Sequence, residues 1–323
     1  DSYYVMSHSN KIALCLTISD LSYLGMASVS IVNLENATEH TDSIIVPFTM
    51  GKTNLPPTSA VGDVKFKNKK LAMEFLNKGD YRVLRVDYPE FDGGKGLRAN
   101  VKLTDEPQDS MVIATPWAED KKAFYYNQKI DCLRASGKIE YDGQLIALDR
   151  ELDFAGLDWG RGVWTYDNVW YWGSGSGQVD GVPFGFNIGY GFGDTSAASE
   201  NVIFYDGIAH KFDDIVFNIS DNFTDPWTFK SSDGRFDMDF VPIIDRNALV
   251  DAKIIVTDQH QVFGKMSGTA VLDEKFSLRI SFALPKKYTI NINSPSPLRR
   301  LFGCAVIFFI KLTLLLLDFY FIL

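Results

Sequence analysis

Apolar and polar residues alternate over short stretches along most of the chain. In Ala27–Val32, Tyr81–Val86 and Leu97–Leu103 the apolar residues fall near every second position, the period of a strand with one buried face. Ile12–Asp20 is a nearly continuous apolar run. Met111–Ala114, Val202–Phe204, Asp214–Ile219, Ile254–Thr257 and Gly268–Leu272 are further short runs, separated by Gly, Asp and Asn. Helical spacing before the last forty residues shows only over Asn68–Leu76, which predicts a turn or two of helix. Many short strands with regular turn signals predict an all-β sandwich or barrel. A weak echo supports this. Ser136–Gly143, Ser176–Gly181 and Ser267–Asp273 each read as Ser-Gly, a short strand and an Asp turn, and Asp-Gly supplies the positive φ of a tight hairpin. The stretches Thr104–Gln108 and Trp117–Lys122 are candidate crossings. They divide the chain into an N-terminal β layer, 1–115, and a C-terminal one, 116–283.

The densest information lies in one block. Trp159, Trp164, Trp170 and Trp172 fall within fourteen residues, among glycines and beside Tyr166. Strand alternation puts Trp170 and Trp172 on one face and Tyr171 on the other. It sets Phe184, Phe186 and Ile188 opposite Gly185, Asn187 and Gly189. Large rings beside glycines predict an apolar cavity, lined by Trp159, Trp164, Tyr166, Trp170, Trp172, Phe186, Asn187 and Tyr190 as candidate ligand contacts. The competing reading is a filled core. Asp158 and Arg161 read as an ion pair, structural or catalytic. Asp194 and Glu200 bracket a loop of small residues. A carboxyl facing an apolar pocket has a raised pKa and can serve as a general acid. The glycine runs Gly173–Gly177 and Gly189–Gly193 lack the lysine or the βαβ setting of nucleotide loops.

Composition narrows the classes. Among 323 residues there are 32 Lys and Arg against 41 Asp and Glu, a net charge of −9. That balance argues against a nucleic-acid partner, which needs a basic stripe. Three scattered Cys and four separated His suggest neither a disulfide framework nor a metal site. Neither a metal nor a cofactor is expected.

The ends raise separate questions. The chain starts at Asp1, with no secretory signal pattern, and reads as a fragment boundary. From Leu301 to Leu323 only Lys311 and Asp318 are charged, and Arg299 and Arg300 precede the run. About 20 apolar residues cross a bilayer, so one expectation for 284–323 is an apolar helix anchoring the protein, with the basic pair in the cytosol. The other is frameshifted read-through. One chosen back-translation of the segment from Phe282 to Asn293, read one base earlier, gives FAEKVYNKY and a stop. The expected location is the cytoplasm, or a membrane if the tail is genuine.

The segments DWGRGVWTYDNVWYWGSGSGQVDGVPFGFNIGYGFGD, SENVIFYDGIAHKFDDIVF, FDMDFVPIIDRN and QVFGKMSGTAVLD resemble the motifs of the domain-of-unknown-function 2804 family. The strand pair LTISDLSYLGMASVSIVNLE does so too, and the likeness spans about residues 3–283. The family pattern closes with a polar FAEKV-type segment, from which this chain departs. The family carries no established activity. The resemblance implies an architecture distantly similar to lipocalin-like proteins of the carotenoid-hydratase type, and so two lipocalin-like barrel or sandwich layers. The functional expectation is a protein that binds a hydrophobic lipid- or isoprenoid-like small molecule, or acts on it without cofactor. Asp158, Asp194 or Glu200 would then move a proton and Arg161 would orient a carboxylate. The alternative is a carbohydrate-binding or glycoside-processing β protein.

Overall fold

The computed structural model describes all residues except 121, 166, 252–254, 274–276, 281–300 and 315–323. Twelve strands form the first sheet. They are β1 (Ser2–Ser7), β2 (Ile12–Asp20), β3 (Leu24–Asn33), β4 (Thr38–Pro47), β5 (Val64–Lys67), β6 (Ala72–Asn77), β7 (Arg82–Tyr88), β8 (Leu97–Thr104), β9 (Met111–Pro116), β10 (Phe124–Tyr141), β11 (Gln144–Leu148) and β12 (Phe154–Val163). Ten form the second. They are β13 (Asp167–Val179), β14 (Val182–Tyr190), β15 (Val202–Tyr205), β16 (Ile208–Lys211), β17 (Ile215–Asn218), β18 (Trp227–Ser231), β19 (Phe236–Asp251), β20 (Ile255–Val271), β21 (Ser277–Ile280) and β22 (Leu301–Leu314). Among the described residues the strands pair antiparallel, as hairpin connections allow. The protein is therefore all-β, with two lipocalin-like layers.

Alternation does build the strands. On β8, Leu97, Ala99, Val101 and Leu103 are buried while Arg98, Asn100 and Lys102 are exposed. These apolar residues join Leu14, Leu16, Phe75, Leu84 and Ile130 in the core of the first layer. Phe186, Phe212, Phe229, Phe236 and Phe240 fill that of the second. The unbroken apolar run of β2 has a different cause, which is burial of both faces. Ile12, Leu14, Leu16 and Ile18 enter the first core, whereas Ala13 and Cys15 pack with Trp172 and Phe263 of the second sheet. The Asp-Gly hairpins form as expected. Asp142 and Gly143 (φ 50° and 71°) turn β10 into β11, and Asp180 and Gly181 (φ 50° and 83°) turn β13 into β14.

Three expectations change. Ala72–Asn77 is strand β6, not helix; Met73 and Phe75 enter the core at period two, and tertiary pairing overrides the helical propensity of the stretch. The passage between sheets falls between β12 and β13, not near residue 116. The turn-rich stretches at 104–108 and 117–122 only link strands that rejoin the first sheet, which local turn chemistry cannot reveal. Within the tail, Leu301–Leu314 is a strand, not a helix. It lies between β13 and β20 and pairs with both. A central strand paired on both edges reads as an apolar run, so hydropathy alone does not separate it from a helix. Among the described residues no helix is long and apolar enough to cross a membrane.

Candidate active site

The two sheets meet along the outer faces of β1, β2, β10 and β12 on one side and of β13, β14 and β20 on the other. Alternation along β13 decides what each face holds. Tyr171 and Val179 turn to the second core, while Trp170 and Trp172 turn to the first sheet, with Tyr4, Met6 and Cys15. On β12, Leu157 and Trp159 enter the first core and Asp158 faces the other way.

Ionisable groups gather at this junction. Lys129 on β10 sits directly opposite Asp158 on β12, and its ammonium bonds the Asp158 carboxylate. Only 6% of the Lys129 side chain and 23% of the Asp158 side chain are exposed. The same ammonium lies 4.8 Å from the Trp172 ring centroid, a cation–π contact. Trp172 Nε1 donates to Asn187 Oδ1 at 2.7 Å, and Asn187 Nδ2 donates to Glu200 Oε2 at 3.1 Å. A chain of contacts thus runs from Asp158 through Lys129, Trp172 and Asn187 to Glu200.

A fourth group stands beside a bulge. Between Ile130 and Leu133 the register of β10 against β12 shifts, so Asp131 and Cys132 stand against Gly156 alone. Cys132 takes φ 63°, unusual for a residue with a Cβ. Asp131 shares the junction face with Lys129, and the bulge sets Cys132 beside it before Leu133 returns to the core. Ser174 Oγ donates to Asp131 Oδ1 at 2.7 Å, and Ser176 Oγ accepts from the Cys132 amide at 2.9 Å. Asp131 Oδ2 is buried without a partner. Burial raises the Asp131 pKa to about 7, against the lowering effects of Ser174 and Lys129. Burial also raises that of Glu200, and Lys129 and Asn187 oppose it. Desolvation of the charged form dominates in both. Tyr125, half-buried near Asp158 and Glu200, is pushed well above its usual value by the same cause.

The structure therefore brings Asp158 and Glu200 to one junction but leaves the other two polar candidates outside it. Arg161 is exposed, and the partner of Asp158 is Lys129 instead. Opposite residues across strands meet, whereas a three-residue offset on one strand turns the side chains to opposite faces. Asp194 is exposed, and its carboxylate caps the Ser196 amide, which lowers its pKa. It has no raised pKa with which to act as an acid. Among the candidate ligand contacts, Trp159 belongs to the first core and Phe186 to the second. Tyr190 packs on the second core, with its ring 4.9 Å from that of Tyr171. Trp164 and Trp170 group around Phe192, with centroids 5.0 and 4.6 Å away, beside Tyr125. Trp172 and Asn187 face the junction, and Tyr166 lies outside the described residues.

The glycines do not leave the expected void. A Cβ on Gly175 would stand 2.6 Å from the Phe186 ring, one on Gly185 2.6 Å from Cys132 Sγ, and one on Gly189 2.6 Å from Glu200 Oε1. They let neighbouring side chains approach the backbone, and the space is filled. One open groove of about 410 Å3 lies elsewhere, on the outside of the first sheet, among Glu74, Arg85, Asp87, Arg98 and Lys138.

Lys129 and Asp131 were missed in the sequence. The available signal was two charges at alternate positions of the strand-like stretch Gln128–Leu133, which share one face of a strand. Among the described residues no group of three or more His, Cys, Asp or Glu could hold a metal ion.

Comparison with known proteins bears on family and fold. A search among curated proteins found no match. Among solved structures, a protein assigned as AttH from Nitrosomonas europaea is similar, with a TM-score of 0.52 and 14% identity over 97% of this chain and 90% of that one. Kievitone hydratase from Nectria haematococca (TM-score 0.46, 10% identity, 97% and 87% covered) and CghA (0.44, 9%, 97% and 87%) are more distant. At such identities the likeness to the first shows the fold alone. The model of the DUF2804 family, a domain of unknown function, matches residues 1–284, and the chain belongs to that family.

Proposed function

We propose that the protein binds a hydrophobic small molecule, of lipid or isoprenoid kind, between its two β layers and moves a proton on it without a cofactor. The observation that carries this reading is the gathering of Lys129, Asp131, Asp158 and Glu200 around the buried Trp172 ring. Two of these carboxyls have pKa values raised by burial, the condition for a general acid near neutral pH. Asp131, with Oδ2 unpaired, is the donor in this reading. Asp158, bridged to Lys129, is the acceptor. The face of Trp172 already receives one ammonium, and a carbocation formed on a protonated double bond would be stabilised by the same quadrupole. Because rings fill the junction, a ligand enters by parting the two layers. A sugar groove is the weaker reading, since Trp159 and Trp172 are buried instead of lying open and flat.

Solvent extraction of the purified protein followed by mass spectrometry tests the reading. An apolar molecule at near-stoichiometric amount is expected, with most of it lost in Trp172→Ala. Recovery of no apolar molecule, together with binding to a glycan array, overturns it.

A further inference from the structure

Gln261 is fully buried, 0% exposed, and neither its amide nitrogen nor its amide oxygen has a hydrogen-bond partner. Burying an unpaired donor or acceptor is costly, and a leucine at this position would avoid that cost. The direction of the side chain is fixed by its neighbours. Gln261 on β20 stands directly opposite Arg246 on β19, and opposite residues share a face. The Arg246 guanidinium reaches Ser30 on β3 and Thr41 on β4, so that face looks at the first sheet. Two residues along β20, Phe263 packs with Met6, Ala13, Cys15 and Trp172. Gln261 therefore points into the same junction as the carboxyl cluster. Both Gln261 and Trp172 pair in register with Phe308 of β22. Two strand spacings put them roughly 10 Å apart.

The surroundings define what Gln261 can recognise. Met6, Ala13, Cys15 and Phe263 pack with Trp172 in one apolar cluster on this face. Arg246, the cation beside it, is already engaged by hydroxyls of the first sheet. The free amide offers one donor beside one acceptor. Its complement is a neutral planar group that offers the same pair in reverse, namely a carboxamide or an un-ionised carboxylic acid.

We infer that Gln261 is the specificity residue of the junction, and that the ligand is an apolar chain or ring system carrying one neutral donor–acceptor group of carboxamide or carboxylic acid type roughly 10 Å from the part that meets Trp172. This rests on the proposed binding function and deepens it. The polar group would fix the register of the apolar body, so that one position along it lies at Asp131 and Asp158. Hydrophobic contact is non-directional and cannot do this.

The test uses two probes of equal chain length, dodecanamide and methyl dodecanoate, the second of which accepts but cannot donate. Binding is followed by quenching of tryptophan fluorescence in the wild type and in Gln261→Leu. The expected result is at least tenfold tighter binding of the amide by the wild type. In Gln261→Leu that preference is expected to vanish. Gln261→Leu without ligand is also expected to melt at a higher temperature, because an unpaired buried amide has been removed. Retention of the amide preference in Gln261→Leu overturns the inference while leaving the binding reading intact. A lower melting temperature overturns it too, since the amide would then already be satisfied by an internal water. Dodecanoic acid titrated at pH 4 and pH 8 separates the two ligand sources: tighter binding at pH 4 marks the un-ionised carboxyl, and binding of the amide alone marks the carboxamide. Binding of none of the probes, by wild type or variant, overturns the junction as a ligand site and the role of Gln261 with it.

Discussion

The two faces of β10 and β12 hold opposite environments. One face sends Ile130, Leu157 and Trp159 into the first core, where apolar atoms meet apolar atoms. The other sends Lys129, Asp131 and Asp158 to the junction, where a salt bridge, a carboxyl near neutrality and unpaired polar atoms coexist. The strands are the same and the environments lie about one backbone thickness apart. The core face is organised for stability. The junction face keeps costly groups that a second apolar layer would dispense with, and such local conflicts concentrate where function resides.

The contrast can be broken or sharpened by substitution. Trp159→Ala acts on the core face, where the ring is 4% exposed. It should cost about 3–5 kcal/mol, read as a lower urea midpoint, while the amount of ligand extracted per folded molecule stays unchanged. Loss of ligand without loss of stability would reverse the assignment of the two faces. Asp131→Asn acts through pH. The folded state holds the Asp131 proton up to about pH 7, whereas an unperturbed aspartate releases it near 3.8. The stability contributed by the protonated carboxyl is therefore full below about pH 4 and is lost as pH rises towards 7, by up to roughly 4 kcal/mol. The asparagine variant should lack this fall, so its advantage over wild type grows from pH 4 to pH 7 in parallel denaturation series. Lys129→Met leaves Asp158 without its cation and should cost about 2 kcal/mol, the pair being partly exposed. Asp158→Leu added to it should recover most of that loss, as a double-mutant cycle would show. A second substitution that costs as much again would mean that the carboxylate has other partners.

Local reading reached some of the site and stopped at others for identifiable reasons. Alternation placed Trp170 and Trp172 on one face, and Phe184, Phe186 and Ile188 opposite Asn187, because side-chain direction on a strand depends on parity alone. It chose the wrong partner for Asp158, because cross-strand neighbours are set by register, and Lys129 lies 29 residues earlier. It passed over Asp131, which shares the face of Lys129 and stands beside a bulge that no period announces. It read glycines as empty space, although Phe186, Cys132 and Glu200 occupy it.

The sequence by itself determined that this is a β protein with Asp-Gly hairpins and an indole-rich strand, since period-two burial and positive-φ turns are local properties of the chain. Tertiary structure alone decided that β22 is a strand between β13 and β20, that the second layer begins after Val163, and that a lysine, three carboxyls and a free glutamine amide converge on one junction. Those outcomes depend on which strands find each other and in what register, and that is a competition among distant segments for the same buried edges and faces.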